Sequence, residues 1–115
     1  MFKELKVFIK KKIKSLSVNG LTDWNSVILL VSEVVQEVES TYKLYFSGEK
    51  ISEEKKQAAK DAVYKIIDSV PLPMKFFKIP IPSFIVRIVI KRMASKLIDE
   101  IVDYYNKNGK FKHLT

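Results

Sequence analysis

The chain has no cysteine, so disulfides, zinc–thiolate centres and thiol nucleophiles are all excluded. Histidine occurs once, at His113 near the C-terminal end, where a lone imidazole reads as a solvated side chain rather than a ligand or base. Arginine occurs only at Arg87 and Arg92. Arginine is the usual reader of base edges, so sequence-specific nucleic-acid recognition is disfavoured. Long apolar runs are missing as well. Crossing a bilayer takes about 20 consecutive apolar residues, and the best stretch, Ile79 to Ile90, offers twelve with Arg87 among them. No transmembrane span is expected. Lysines interrupt every apolar stretch of residues 1–20, which leaves no signal-peptide core, so an intracellular, cytoplasmic location is expected. There is no P-loop, dinucleotide fingerprint or zinc-ligand spacing. No catalytic residue, cofactor or metal is therefore assigned, and a non-enzymatic role is expected.

What is present is apolar residue and positive charge. Hydrophobic residues make up 47% of the 115 and charged residues 30%, with a net charge of +8. This is enough apolar material for one folded domain over residues 1–115 without metals or disulfides. The charge is uneven: residues 1–20 carry +5, residues 71–92 another +5, and residues 21–50 between them −3. A cationic region of this kind suits nucleic acid, anionic lipid or an acidic protein, and it also suits a plain solvated helix face.

Periodicity gives four helices and a fold class: all-α, a small four-helix bundle with a proline-rich connector between helices 3 and 4. The first helix, about 2–16, has a narrow stripe of Phe2, Leu5, Ile9, Ile13 and Leu16. Lys3, Lys6, Lys10, Lys11 and Lys14 fall outside the stripe and make a candidate anion or nucleic-acid surface. Asn19-Gly20 stops the helix. The second, about 23–46, starts from Thr22 as cap with Asp23 behind it, and turns Trp24, Val27, Val31, Val34, Val35, Val38, Tyr42 and Tyr45 to one side. Its β-branched run "SVILLVSEVV" makes a strand the competing reading, and length and period favour helix. Gly48 ends it. The third, about 53–69, follows Ser52 and lines up Ala58, Ala62, Ile66 and Val70, widened by Ala59, Val63 and Ile67. Pro71 and Pro73 close it. "PLPMKFFKIPIP" (71–82) then connects to the fourth helix, about 83–106, with Gly109 beyond it and a tail at 110–115.

The fourth helix carries the main candidate surface. Val86, Ile90, Met93, Ala94, Leu97, Ile98, Ile101, Tyr104 and Tyr105 make its expected inner stripe. Ile85, Ile88 and Val89 lie on the side that is polar further along, so the first turns are apolar nearly all round. Such a helix is either deeply buried or covers a partner. Inside the chain the first helix or the connector is available to cover these three. The alternative is a partly exposed patch of Ile85, Ile88 and Val89 rimmed by Lys91 and Arg92. That patch suits self-association or a protein partner, or else the interface of an anionic membrane. Arg87, at the edge of the stripe, must snorkel or find an acid of the second helix or another partner. Two i, i+4 carboxylate pairs, Glu33 with Glu37 and Asp99 with Asp103, have the spacing to help hold a divalent ion, but both fall on expected solvent faces.

The leading expectation is thus a small helical interaction protein working through an apolar and cationic surface made by the first helix and the start of the fourth. The alternatives are lysine-based, non-specific nucleic-acid binding and peripheral contact with anionic membranes. Three segments, "VVQEVES" (34–40), "SEEKKQAAKDAV" (52–63) and "KLIDEIVDYYNKNGKF" (96–111), together resemble the soluble, helical part of the LL-H type phage holin family. The resemblance covers roughly half the chain and implies a phage or prophage origin, near a lysis or virion module. Those holins have an N-terminal membrane span where residues 1–20 here make a basic amphipathic segment, and the resemblance supplies no functional residue.

Overall fold

In the computed structural model, residues 2–45, 52–72 and 81–108 are described, with side chains to Tyr104 in the last helix. The expected stops at Gly48 and Gly109, the central connector 73–80, the tail, and the side chains of Ser52 and Tyr105 lie outside the described residues. The elements are α1 (Lys3–Ser15), α2 (Trp24–Tyr45), α3 (Ser52–Ser69) and α4 (Ser83–Asn108), and no strand occurs among the described residues. The fold is an all-α four-helix bundle, and the β-branched α2 is a helix.

Local chemistry sets the element ends. Asp23, rather than Thr22, caps α2. Its carboxylate accepts the Ser26 N–H at 2.8 Å while the Ser26 hydroxyl oxygen accepts the Asp23 N–H at 3.2 Å. This reciprocal pair satisfies two otherwise orphaned donors and outcompetes a lone threonine hydroxyl. After α1 the chain turns through Gly20, whose N–H reaches Leu16 O at 2.8 Å. Gly20 has a φ of +68°, a left-handed conformation that costs glycine little. It also lets the backbone of Leu21 donate to Pro71 O at 3.0 Å, which ties the α1–α2 turn to the end of α3.

The helices run alternately up and down. Phe2, at the start of α1, stacks on Tyr45 (centroids 4.7 Å apart) and meets Tyr42 edge-on, at the end of α2. Leu21 meets Pro71 at the other end of the molecule. α2 and α3 form the central pair. α1 packs against both from one flank and α4 packs against both from the other, with α3 and α4 in the most extensive contact. α3 consequently buries two adjacent rows, Ala59, Ala62, Val63, Ile66, Ile67 and Val70. Its alanines leave room for close approach of a neighbouring helix.

Three ion pairs mark the α3–α4 register: Lys56–Asp103 at 2.7 Å, Lys60–Asp99 at 2.9 Å and Asp68–Lys91 at 2.7 Å. The numbers advance by four and then eight along α3 and retreat by the same steps along α4, as antiparallel i, i+4 ridges require. The buried row of α4 follows the same step: Val86, Ile90, Ala94, Ile98 and Val102. A row advancing by four residues rotates about 40° per step around the helix. That drift corrects the fixed-phase stripe. Val102 is buried, while Met93 and Tyr104, both expected inside, are half exposed. A similar correction applies to α2, where Leu30 is buried and Tyr45 is exposed, its hydroxyl donating to Glu4 at 3.0 Å.

Candidate interaction surface

The first turns of α4 follow two prolines and stand on the outer side of the bundle. Val86 and Ile90 turn inward onto α3 and are fully buried. Ile85 and Ile88 are left 39% and 48% exposed, with Phe84 beside them at 64%, and Val89 is half-buried. α1 does not cover them, because it packs on α2 and α3. Val89 continues into Met93 and Leu97 at steps of four, so Ile85, Val89, Met93 and Leu97 form a second row beside the buried one. Met93 is 54% exposed. Across from the Met93 and Leu97 part of this row stand Trp24 and Ile28 of α2. Together the two helices line an open, mainly apolar groove of about 500 Å³, floored by Val27 and Ala94 and edged by Lys96 and Glu100.

The expected cationic rim divides. Arg92 is exposed, with no ion-pair or hydrogen-bond partner among the described residues. Lys91 is not a free rim cation. Its ammonium bonds both Asp68 oxygens, at 2.7 and 2.8 Å, and lies 5.7 Å from the Tyr64 ring centre, holding α4 to α3. Arg87 is half-buried and finds no acid of α2. Its guanidinium donates to the carbonyls of Ile67 and Val70, the latter at 3.2 Å. The last turn of α3 contains no basic residue of its own, so α4 supplies the cation that complements the negative end of that helix.

Lys3, Lys6, Lys10, Lys11 and Lys14 are all exposed on the outward side of α1, and none has an ion-pair partner among the described residues. Their backs are set by Leu5 and Ile9, which are buried against α2 and α3. The remaining lysine of the segment, Lys12, turns to Glu33 of α2. The lysine ridge and the α4 patch are not brought into one contact, since α1 and α4 occupy different flanks of the central pair.

Three of the four i, i+4 carboxylates are taken up in ion pairs between helices. Glu33 pairs with Lys12, Asp99 with Lys60 and Asp103 with Lys56, and among the described residues no three metal-ligating side chains cluster. The buried ionic contact is Glu39 with Lys55 at 2.9 Å, between α2 and α3. Among the described residues three pKa values are raised, all at the end of the molecule where α1 starts. Tyr42 is raised by burial and then by the Glu54 charge. Tyr45 is raised first by its hydrogen bond to Glu4, and Lys56 first by its bond to Asp103.

Phe84, Met93, Trp24 and Ile28 join the surface without having been expected there. The signal was there in two places. The i, i+4 row through Ile85 continues to Met93, and "SVILLV" makes the start of α2 apolar beyond what one stripe needs. Among the described residues no helix is long and apolar enough to cross a membrane. No protein-family model, curated protein or solved structure matches this chain.

Proposed function

We propose that the chain is a non-enzymatic interaction protein whose working surface is the outer apolar side of α4, extended by the α2 groove, and that a protein partner docks there. The observation that carries this reading is the exposure of Ile85, Ile88 and Phe84 on a helix whose opposite row is fully buried. A contiguous apolar area left uncovered in a chain of net charge +8 is the usual mark of a docking face. A phage or prophage origin belongs to the same proposal and rests on the three sequence motifs alone.

The test replaces Ile85, Ile88 and Val89 by serine together. Burying a whole Val or Ile side chain is worth about 1.5–3 kcal/mol. With two of the three about half exposed, the loss comes to about 3 kcal/mol, short of the ~5–15 kcal/mol that holds a typical domain. The variant is expected to unfold cooperatively while losing self-association by sedimentation, vesicle binding, or the proteins captured by the parent from its host. A folded variant that keeps every association of the parent refutes the proposal.

One observation supports a second reading. Five exposed lysines on a single helix, without ion-pair partners among the described residues, suit the phosphates of a nucleic acid, bound without sequence preference. Binding to duplex DNA would then weaken by about 0.9 log units per log unit of salt for each phosphate contacted. Neutralising the five lysines would flatten that slope. No binding to duplex or single strands at low salt removes this reading.

A further inference from the structure

The five exposed lysines of α1 do not share one line. At about 100° per residue, Lys3, Lys6, Lys10 and Lys14 fall within about 80° of one another, and Lys11 stands about 100° from the middle of that row. From Lys3 to Lys14 the row is about 17 Å long at ~1.5 Å per residue. Glu4 is the only acid of α1. It lies on the side of Lys11, two turns away, and its carboxylate accepts the Tyr45 hydroxyl at 3.0 Å. Lys12 is taken up by Glu33. The row is thus four cations in line with no acid of their own helix among them.

Such a line fits a linear polyanion. One strand of a DNA duplex carries a charge per ~3.4 Å of axis, so about 17 Å offers about five phosphates, at least one for each lysine. α1 contains no arginine, asparagine or glutamine for bidentate reading of base edges. Its outward side also lacks an aromatic ring. Phe8 packs on the core beneath Lys12, and Phe2 packs on the core and stacks on Tyr45. Single strands are held largely by bases stacked on exposed rings. A membrane would claim the apolar side of the helix, which interfacial helices bury among the headgroups. Here Leu5 and Ile9 are already buried against α2 and α3, and Val7, 42% exposed, is the apolar residue facing out. We infer that α1 lies along one strand of a nucleic-acid duplex and grips its phosphates through Lys3, Lys6, Lys10 and Lys14, with Lys11 outside the contact. This rests on the second reading above and names the form of the nucleic acid and the lysines that hold it.

The probe is a short DNA duplex of mixed sequence, titrated by fluorescence anisotropy over a range of salt, with one of its strands alone for comparison. Four contacts give log K a slope of about −3.6 against log salt. The single strand, whose bases find no ring, is expected to bind at least about tenfold more weakly. Lys6→Gln with Lys10→Gln is expected to reduce the slope by about 1.8, and Lys11→Gln to leave it unchanged. Arg92→Gln with Lys96→Gln removes the same charge from α4 and is expected to leave the slope unchanged, which separates the row from the overall +8. All these positions are exposed, so circular dichroism should match the parent throughout. Equal binding of single strand and duplex overturns the inference. So does a loss of slope per charge as large for Lys11→Gln, or for the α4 pair, as for the row. Binding to phosphatidylserine vesicles without binding to the duplex overturns it as well. If neutralising all five lysines flattens the slope while single strands bind as tightly as the duplex, the nucleic-acid reading stands and the duplex grip falls. No binding to either form at low salt removes both.

Discussion

Replacing Gly20 by alanine probes the joint between the α1–α2 turn and the end of α3. A Cβ built at Gly20 lies 2.0 Å from Pro71 O, 2.7 Å from Pro71 C and 2.9 Å from Pro71 Cβ. The first two are backbone atoms, so no side chain can swing aside. The φ of +68° adds about 1–2 kcal/mol for any L side chain. Relief of the clash requires the Pro71 carbonyl to move, and that carbonyl accepts the Leu21 N–H at 3.0 Å. Leu21 is fully buried, so its stranded N–H costs a further ~1–3 kcal/mol. The expected destabilisation is about 2–5 kcal/mol, read as a lower urea midpoint with an unchanged slope. Gly20→Asn tolerates the left-handed backbone better but meets the same Pro71 oxygen, so it should lose nearly as much. A Gly20→Ala protein within about 1 kcal/mol of the parent would refute the close approach of these two segments.

Three further outcomes follow from the ionic contacts. Arg87→Met leaves the Ile67 and Val70 carbonyls without their donor and should cost about 1.5–3 kcal/mol in urea unfolding; a neutral result would contradict the cap. Glu39→Ala leaves the Lys55 charge poorly compensated in a mostly buried site and should cost about 3 kcal/mol, whereas replacing both residues by methionine should come out near neutral. Equal damage from the single and double changes would argue against an isolated pair. Tyr42, Tyr45 and Lys56 have folded pKa values raised above 10.0, 10.0 and 10.5. Their contribution is therefore complete below those ordinary values and is lost as pH climbs through the folded ones. The molecule should loosen first around Phe2, Tyr45 and Lys56 in alkaline solution, followed by NMR, while the Arg87 end holds; loss at the Arg87 end first would contradict this.

The helices were legible because each carries a periodic apolar row, and several ends have a punctuating residue nearby: Gly20 after α1, Asp23 before α2, Pro71 after α3 and Pro82 before α4. What the sequence withheld is the pairing between helices. Asp99 and Asp103 looked like solvent-facing carboxylates because nothing in the order of residues announces that Lys60 and Lys56 arrive opposite them. Arg87 looked like a cation seeking an acid because carbonyl acceptors at a helix end belong to geometry, not to residue type. Met93 and Val102 exchanged places because the contact with α3 follows a drifting i, i+4 row. The apolar excess at Ile85 and Ile88 was readable, and its exposure depended on where α1 packed. Only the structure places α1 on α2 and α3, which leaves that side of α4 without a helix over it among the described residues.

The central claim is that this side of α4 stands open in the free chain. Methyl NMR with a soluble gadolinium chelate, which relaxes only methyl groups reached by solvent, tests it directly. Strong relaxation is expected for Ile85, Ile88 and Met93, and protection for Ile66, Ile67, Ile90 and Ile98, which are buried. Methyl groups of Ile85 and Ile88 as well protected as that of Ile90 in the dilute monomer would contradict it.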